Sequence, residues 1–209
     1  MFGFGKKKPP ESPKPPMLAN VNEAIQGLAQ YFVSPPKDSG DIAWPEKLDR
    51  RLMNFSYASL GVVDEYLKYV HENAGRIDPK AGDKVILRGG AYVGEVIRRN
   101  GGKNLTWVDY EIYMPANPKL QGMVGSRNVT NCAALYDELN GNLWWPMKKV
   151  VQFIQDGPED SVKYFAARWC EAEKSECRAA TGPGPSFRSP TTTPSGACRR
   201  MTIGISSRC

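Results

Sequence analysis

The chain has 209 residues, with 28 Lys+Arg against 22 Asp+Glu and a single histidine, for a formal net charge of +6. Residues 1–16 supply +3 and residues 170–209 another +3, so the 153 residues between them balance at 18 basic and 18 acidic side chains. A neutral body with 41% hydrophobic residues across the chain reads as one globular domain, and it offers no basic patch interleaved with aromatics, so nucleic acid is not expected as a partner. No apolar run approaches the roughly 18 residues needed to cross a bilayer, so no transmembrane segment is expected.

Residues 1–16 are dominated by lysine and proline; proline removes backbone donors and fixes φ, and the segment reads as a disordered leader. The opening Met-Phe-Gly-Phe-Gly-Lys-Lys-Lys sets its charge after a very short apolar stretch, the reverse of a secretory leader, and the expected location is the cytoplasm. A first helix is predicted over about 17–32, where Leu18, Val21, Ile25, Leu28 and Phe32 share one face, and Ser34-Pro35-Pro36 stops it. A second is predicted over about 47–74 on the stripe Leu60, Val63, Leu67, Val70 and Ala74.

A third helix fits about 81–100, with Ile86, Gly90, Val93 and Ile97 as its apolar stripe. Gly89, Gly90 and Gly94 lie inside it and each costs roughly 1 kcal/mol of helix propensity. Close approach of another element to a glycine-flattened surface is the physical reason for keeping them. The signal then changes to strand over 105–114, followed by a hairpin in which 133–136 and 143–145 flank Asn140-Gly141. Two helices complete the body, one opening at Pro146 and closing at Gly157, the other opening at Pro158 with Val162, Phe165, Ala166 and Trp169 facing the core. N-terminal helices, a small antiparallel sheet and two C-terminal helices make an α+β fold over residues 17–170.

Residues 171–209 read as a disordered tail. From Cys177 to Cys209 there is no Asp, Glu or Lys, and average composition would leave 33 residues without an acid only about 2% of the time. Out-of-frame or unselected sequence is one reading, and a Ser/Thr/Pro-rich tail is the other. The five cysteines (Cys132, Cys170, Cys177, Cys198, Cys209) form no C-x-x-C pair, so neither a disulfide framework nor a metal site is expected, and no cofactor motif is present. Gly89-Gly-Ala-Tyr-Val-Gly94 lacks both the spacing and the strand-to-helix setting of a phosphate loop.

Two patterns remain as candidate sites. Arg88, Tyr92, Glu95 and Arg99 follow at spacings of four, three and four, which places them on one strip of the third helix, opposite its apolar stripe. Such a strip is either a solvated ion-pair ladder or a polar patch able to grip a partner's carboxylate or peptide through Arg88 or Arg99. Trp107, Trp144, Trp145, Tyr110 and Tyr136 place much aromatic area on a small sheet, for the core or for a partner. His71, the lone histidine, falls near a helix C-terminus, where a cation is favoured, and reads as a capping or surface residue.

Leu60-Gly-Val-Val-Asp-Glu-Tyr-Leu67, Gly90-Ala-Tyr-Val-Gly-Glu-Val-Ile97, Leu105-Thr-Trp107 and Trp145-Pro-Met-Lys-Lys-Val150 together resemble a family of uncharacterised bacterial proteins. Those proteins carry a Gly-x-x-x-Gly-Glu helix, a Trp-containing strand and a Pro-x-x-x-Val helix start in the same order. The resemblance covers roughly residues 45–170, implies a small cytoplasmic α+β domain and carries over no catalytic residue. The leading expectation is therefore a non-catalytic domain that binds a protein partner, of accessory or toxin-neutralising immunity type. The alternative is a small-ligand binder or enzyme using Glu95, Tyr92 and Arg99, with a concave pocket converging on Glu95.

Overall fold

The computed structural model describes residues 20–101 and 104–169. The Lys/Pro leader, the tail, the start of the predicted first helix and four of the five cysteines lie outside them. Along the described chain run α1 (Val21–Val33), α2 (Leu60–Glu72), α3 (Pro79–Asn100), β1 (Leu105–Asp109), α4 (Tyr110–Ala116), α5 (Gln121–Val124), β2 (Ala133–Asp137), β3 (Asn142–Trp144), α6 (Pro146–Asp156) and α7 (Val162–Ala167). The fold is α+β, as the sequence predicts.

The central element is α3. Asp78 caps its N-terminus by accepting from Ala81 N at 3.1 Å, and Pro79 occupies its first turn, where a missing N–H costs nothing. It packs against α1 on one side and α6 on another, while α2 lies against α6 and α7. Ile25, Phe32, Leu60, Leu67, Val93, Ile97, Val150 and Phe153 are among the side chains of the resulting core.

The sheet is antiparallel in the order β1-β2-β3, with Trp107 opposite Leu135 and Leu135 opposite Trp144. Period-two alternation gives it two buried faces. Leu105, Trp107, Ala133 and Leu135 join the main core, whereas Val108, Ala134 and Leu143 pack with Tyr113 and Met114 of α4 in a second, smaller cluster. The outer edge of β1 is not left open: Trp107 N donates to Asn22 Oδ1 of α1 at 3.0 Å, which occupies a donor that a foreign strand would need.

Four boundaries differ from the sequence reading, each for a local reason. The predicted helix over 47–74 begins only at Leu60, because side chains in the preceding stretch divert the backbone into short 3-10 turns. Asp49 accepts from Arg51 N, Asn54 accepts from Ser56 N, and Ser56 caps Ser59 N. The strand predicted over 105–114 stops at Asp109, whose carboxylate accepts from Glu111 N at 2.9 Å and starts α4 instead. Pro115 lies inside that short helix, removes one of its backbone donors, and is followed by a single further helical residue. In the hairpin, only Gly141 takes a positive φ (69°), and the four-residue loop is organised by Asp137, which accepts from Leu139 N and Asn140 N. The last helix begins after Ser161, whose hydroxyl accepts from Tyr164 N, so that Pro158–Asp160 forms a separate turn.

Candidate functional site

The predicted strip on α3 is not a solvated face. Arg88, Tyr92 and Glu95 are buried: a fourth element, the irregular segment 37–59, takes up Arg88 and Tyr92, while Glu95 meets Trp107 of β1. The strip grips this segment of its own chain. Arg88 donates from Nη1 to Gly40 O (2.9 Å) and from Nη2 to Ser39 O (3.2 Å). Tyr92 Oη accepts from Phe55 N at 3.0 Å and lies 2.6 Å from Ser59 Oγ, which itself donates to Ser56 O. The single Ser59 proton being used, Tyr92 donates to Ser59. Asn100 Nδ2 donates to Phe55 O at 3.0 Å, and the Arg99 guanidinium stacks 3.8 Å from the centre of the Phe55 ring. Phe55 has φ = 60°, a costly conformation for a non-glycine residue, and these contacts on both its backbone and its ring hold it there.

Glu95 faces another way. Its side chain is fully buried, yet both oxygens are saturated: Oε1 accepts from Trp107 Nε1 (2.9 Å) and Arg98 Nε (2.8 Å), and Oε2 accepts from Arg98 Nη2 (3.0 Å) and Arg99 Nε (3.1 Å). Burial pushes its carboxyl pKa upward, but the hydrogen bonds and charge of Arg98, with Trp107 and Arg99, outweigh this and hold it below its ordinary value. Glu95 is thus an anion at neutral pH that ties strand to helix. The glycines complete the junction. A Cβ at Gly94 would overlap the Trp107 ring and lie 3.0 Å from Pro146 Cγ, and one at Gly90 would lie 2.5 Å from Met147 Cα. Helix α3, strand β1 and the start of α6 therefore meet at one packing point.

His71 serves structure as well. Its Nδ1 lies 2.9 Å from Ile154 O, an atom that can only accept, so Nδ1 carries the proton and links the end of α2 to α6. Asp64, in α2, accepts from Ser161 Oγ (2.6 Å) and Val162 N (2.8 Å), and burial raises its pKa. Among the described residues, no group of three or more His, Cys, Asp and Glu side chains is placed to hold a metal ion, and no helix is long and apolar enough to cross a membrane.

The best-defined concavity lies elsewhere, in a cavity of about 550 Å³ between the start of α1 and the β1–α4 corner. Buried Ile25 and Ala133 form its floor, while Val21, Ala24 and Ile112 wall it, and Ile112 is 64% exposed. Asp109, Glu111 and Arg127 stand at its rim, with Arg127 Nη2 at 3.1 Å from Asp109 Oδ2 and Nη1 at 4.0 Å from Glu111 Oε1. Cys132 also lines it; burial raises the pKa of this thiol, so it is a poor nucleophile at neutral pH.

The loop that presents Arg127 is stitched from within. Asn131 Nδ2 donates to Val124 O (3.1 Å) and Ser126 O (3.0 Å), its Oδ1 accepts from Asn128 N (2.7 Å), and Asn128 Oδ1 accepts from Thr130 N (2.8 Å). The sequence reading missed this groove. Its signal was present in Ser126-Arg-Asn-Val-Thr-Asn131, a run of residues that hydrogen-bond their own backbone and mark an ordered loop. Ile112 was hidden because a strand was predicted where α4 forms.

The aromatic residues of the sheet divide between roles. Trp107 is core, while Trp144, Trp145, Tyr110 and Tyr136 are half-buried, and Trp145 Nε1 donates to Tyr113 Oη at 3.0 Å. Compared with known protein families, curated proteins and solved structures, the chain matches none.

Proposed function

We propose that this chain is a non-catalytic protein-binding domain whose contact surface is the groove between α1 and the β1–α4 corner. The observation that carries this reading is the groove itself: an apolar floor, an exposed aliphatic residue at its wall and a charged rim, the usual anatomy of a protein contact. The polar side chains best suited to catalysis speak the same way, since Arg88, Tyr92 and Glu95 are buried and spend their hydrogen bonds within the chain. Glu95 is fully buried, spends both oxygens on hydrogen bonds within the chain and does not line the groove, which speaks against the small-ligand or enzyme alternative. An accessory or toxin-neutralising role suits a domain that acts by contact alone.

The test is photocrosslinking in the cell of origin, with benzoylphenylalanine placed at position 112 and, as a control, at the equally exposed Tyr164 of α7. A discrete protein adduct from position 112 and none from 164 is the expected result. Absence of any adduct from 112, or the same adducts from both sites, would count against the reading.

A further inference from the structure

We infer that the partner segment seated in this groove carries a lysine or arginine beside an apolar anchor. This rests on the groove being the contact surface and adds the chemistry of what fills it.

The charge around the groove is the reason. The residues of α1, β1 and α4 include no Lys, Arg or His, but carry Glu23, Asp109 and Glu111. The loop from Ser126 to Cys132 adds one cation, Arg127, and no carboxylate. Two carboxylates, Asp109 and Glu111, against one guanidinium, Arg127, therefore line the cavity, in a body whose overall charge is balanced. Arg127 is largely committed, being hydrogen-bonded to Asp109. Glu111 is exposed, and its ion pair with Arg127 is long, at 4.0 Å. The rim thus offers acceptors to an incoming cation, while the floor of Ile25 and Ala133 and the wall of Val21, Ala24 and Ile112 accept carbon. A side chain or short segment with an apolar body and a cationic neighbour satisfies both at once.

The same charges disfavour the other occupants. An acidic segment, a phosphate or an anionic lipid surface would face a rim of net negative charge, with two carboxylates to one guanidinium, and like charges across a contact are costly. A second copy docking groove to groove would bring two rims of the same net negative charge together, since a two-fold contact joins the same surface patch on both copies.

Selection of random twelve-residue peptides displayed on phage against the full-length chain tests the inference, followed by titration of the enriched peptides. Enriched sequences should pair Lys or Arg with a large apolar residue. Their affinity should fall about tenfold in Ile112→Gln, which removes an apolar wall. It should fall about fivefold in Glu111→Lys, with a weaker dependence on salt. Both residues are exposed, so an unchanged melting temperature will show that the variants fold. Peptides that are acidic or uncharged and yet sensitive to Ile112→Gln would overturn this inference while leaving the groove as the contact surface. No enrichment, or peptides indifferent to Ile112→Gln, would overturn both. So would self-association of the wild-type chain that Ile112→Gln abolishes, which would make the occupant a second copy.

Discussion

Two glutamates, each on a helix beside β1, have opposite fates. Glu95 on α3 is fully buried and accepts four hydrogen bonds, whereas Glu111 on α4 stands exposed at the mouth of a cavity with its nearest cation at 4.0 Å. The difference teaches where this molecule keeps its structural and its contact chemistry. A buried anion must have every lone pair satisfied, so the α3 junction is closed to outside partners. An exposed anion over an apolar floor leaves its interactions to be completed from outside.

The comparison breaks most visibly at Glu95. Glu95→Ala should cost about 3–5 kcal/mol in urea unfolding, because it strands Trp107 Nε1 and leaves Arg98 without its partner. A variant that unfolds at the wild-type urea concentration would mean that the junction is not the keystone described above. Gly94→Ala should cost about 2–3 kcal/mol, since the new methyl group must displace the Trp107 ring. Its counterpart on the open side behaves oppositely: a Cβ at Gly27 of α1 meets nothing within 4 Å, so Gly27→Ala should stabilise by about 0.5–1 kcal/mol.

Acid sharpens the contrast further. Glu95 has a folded pKa below its ordinary 4.5, so the stability it contributes is present above that value and is lost as pH falls through the folded pKa. Asp64, whose pKa is raised above 3.8 by burial, has the opposite sign: its contribution is present below 3.8 and is lost as pH rises through its folded pKa. Unfolding curves between pH 7 and pH 3 should therefore show a smaller acid loss in Glu95→Gln than in wild type, and a larger one in Asp64→Asn. The smallest effect on stability belongs to the groove, where Ile112→Gln should change it by less than about 0.5 kcal/mol because the side chain is 64% exposed.

How much of this could be read from the sequence follows from the range of the interactions involved. The periodicities that define α1, α3 and α6 are local, and so is the β-hairpin, whose strands alternate between two faces. Gly90 and Gly94 were legible as positions of close approach, although not as the seats of Met147 and Trp107. What periodicity could not show is a fourth layer. A helix with one apolar stripe looks half-solvated, and it is the path of residues 37–59 that takes up Arg88 and Tyr92, and the Trp107 side chain that meets Glu95. That path depends on hydrogen bonds between residues tens of positions apart, such as Arg88 to Gly40 and Asn100 to Phe55, which leave no spacing in the sequence. The groove was hidden for a similar reason, since its walls come from α1, the β1–α4 corner and the loop before β2.

One measurement tests the central claim most directly: the affinity of a partner, or of a peptide selected on the full chain, for Ile112→Gln and for Arg99→Ala. Arg99 is the most exposed member of the strip on α3, so it is the residue through which that strip would touch a partner. If the groove is the contact surface, Ile112→Gln weakens binding about tenfold and Arg99→Ala changes it by less than about twofold. Loss of binding in Arg99→Ala with full affinity in Ile112→Gln would return the contact surface to α3 and contradict the account.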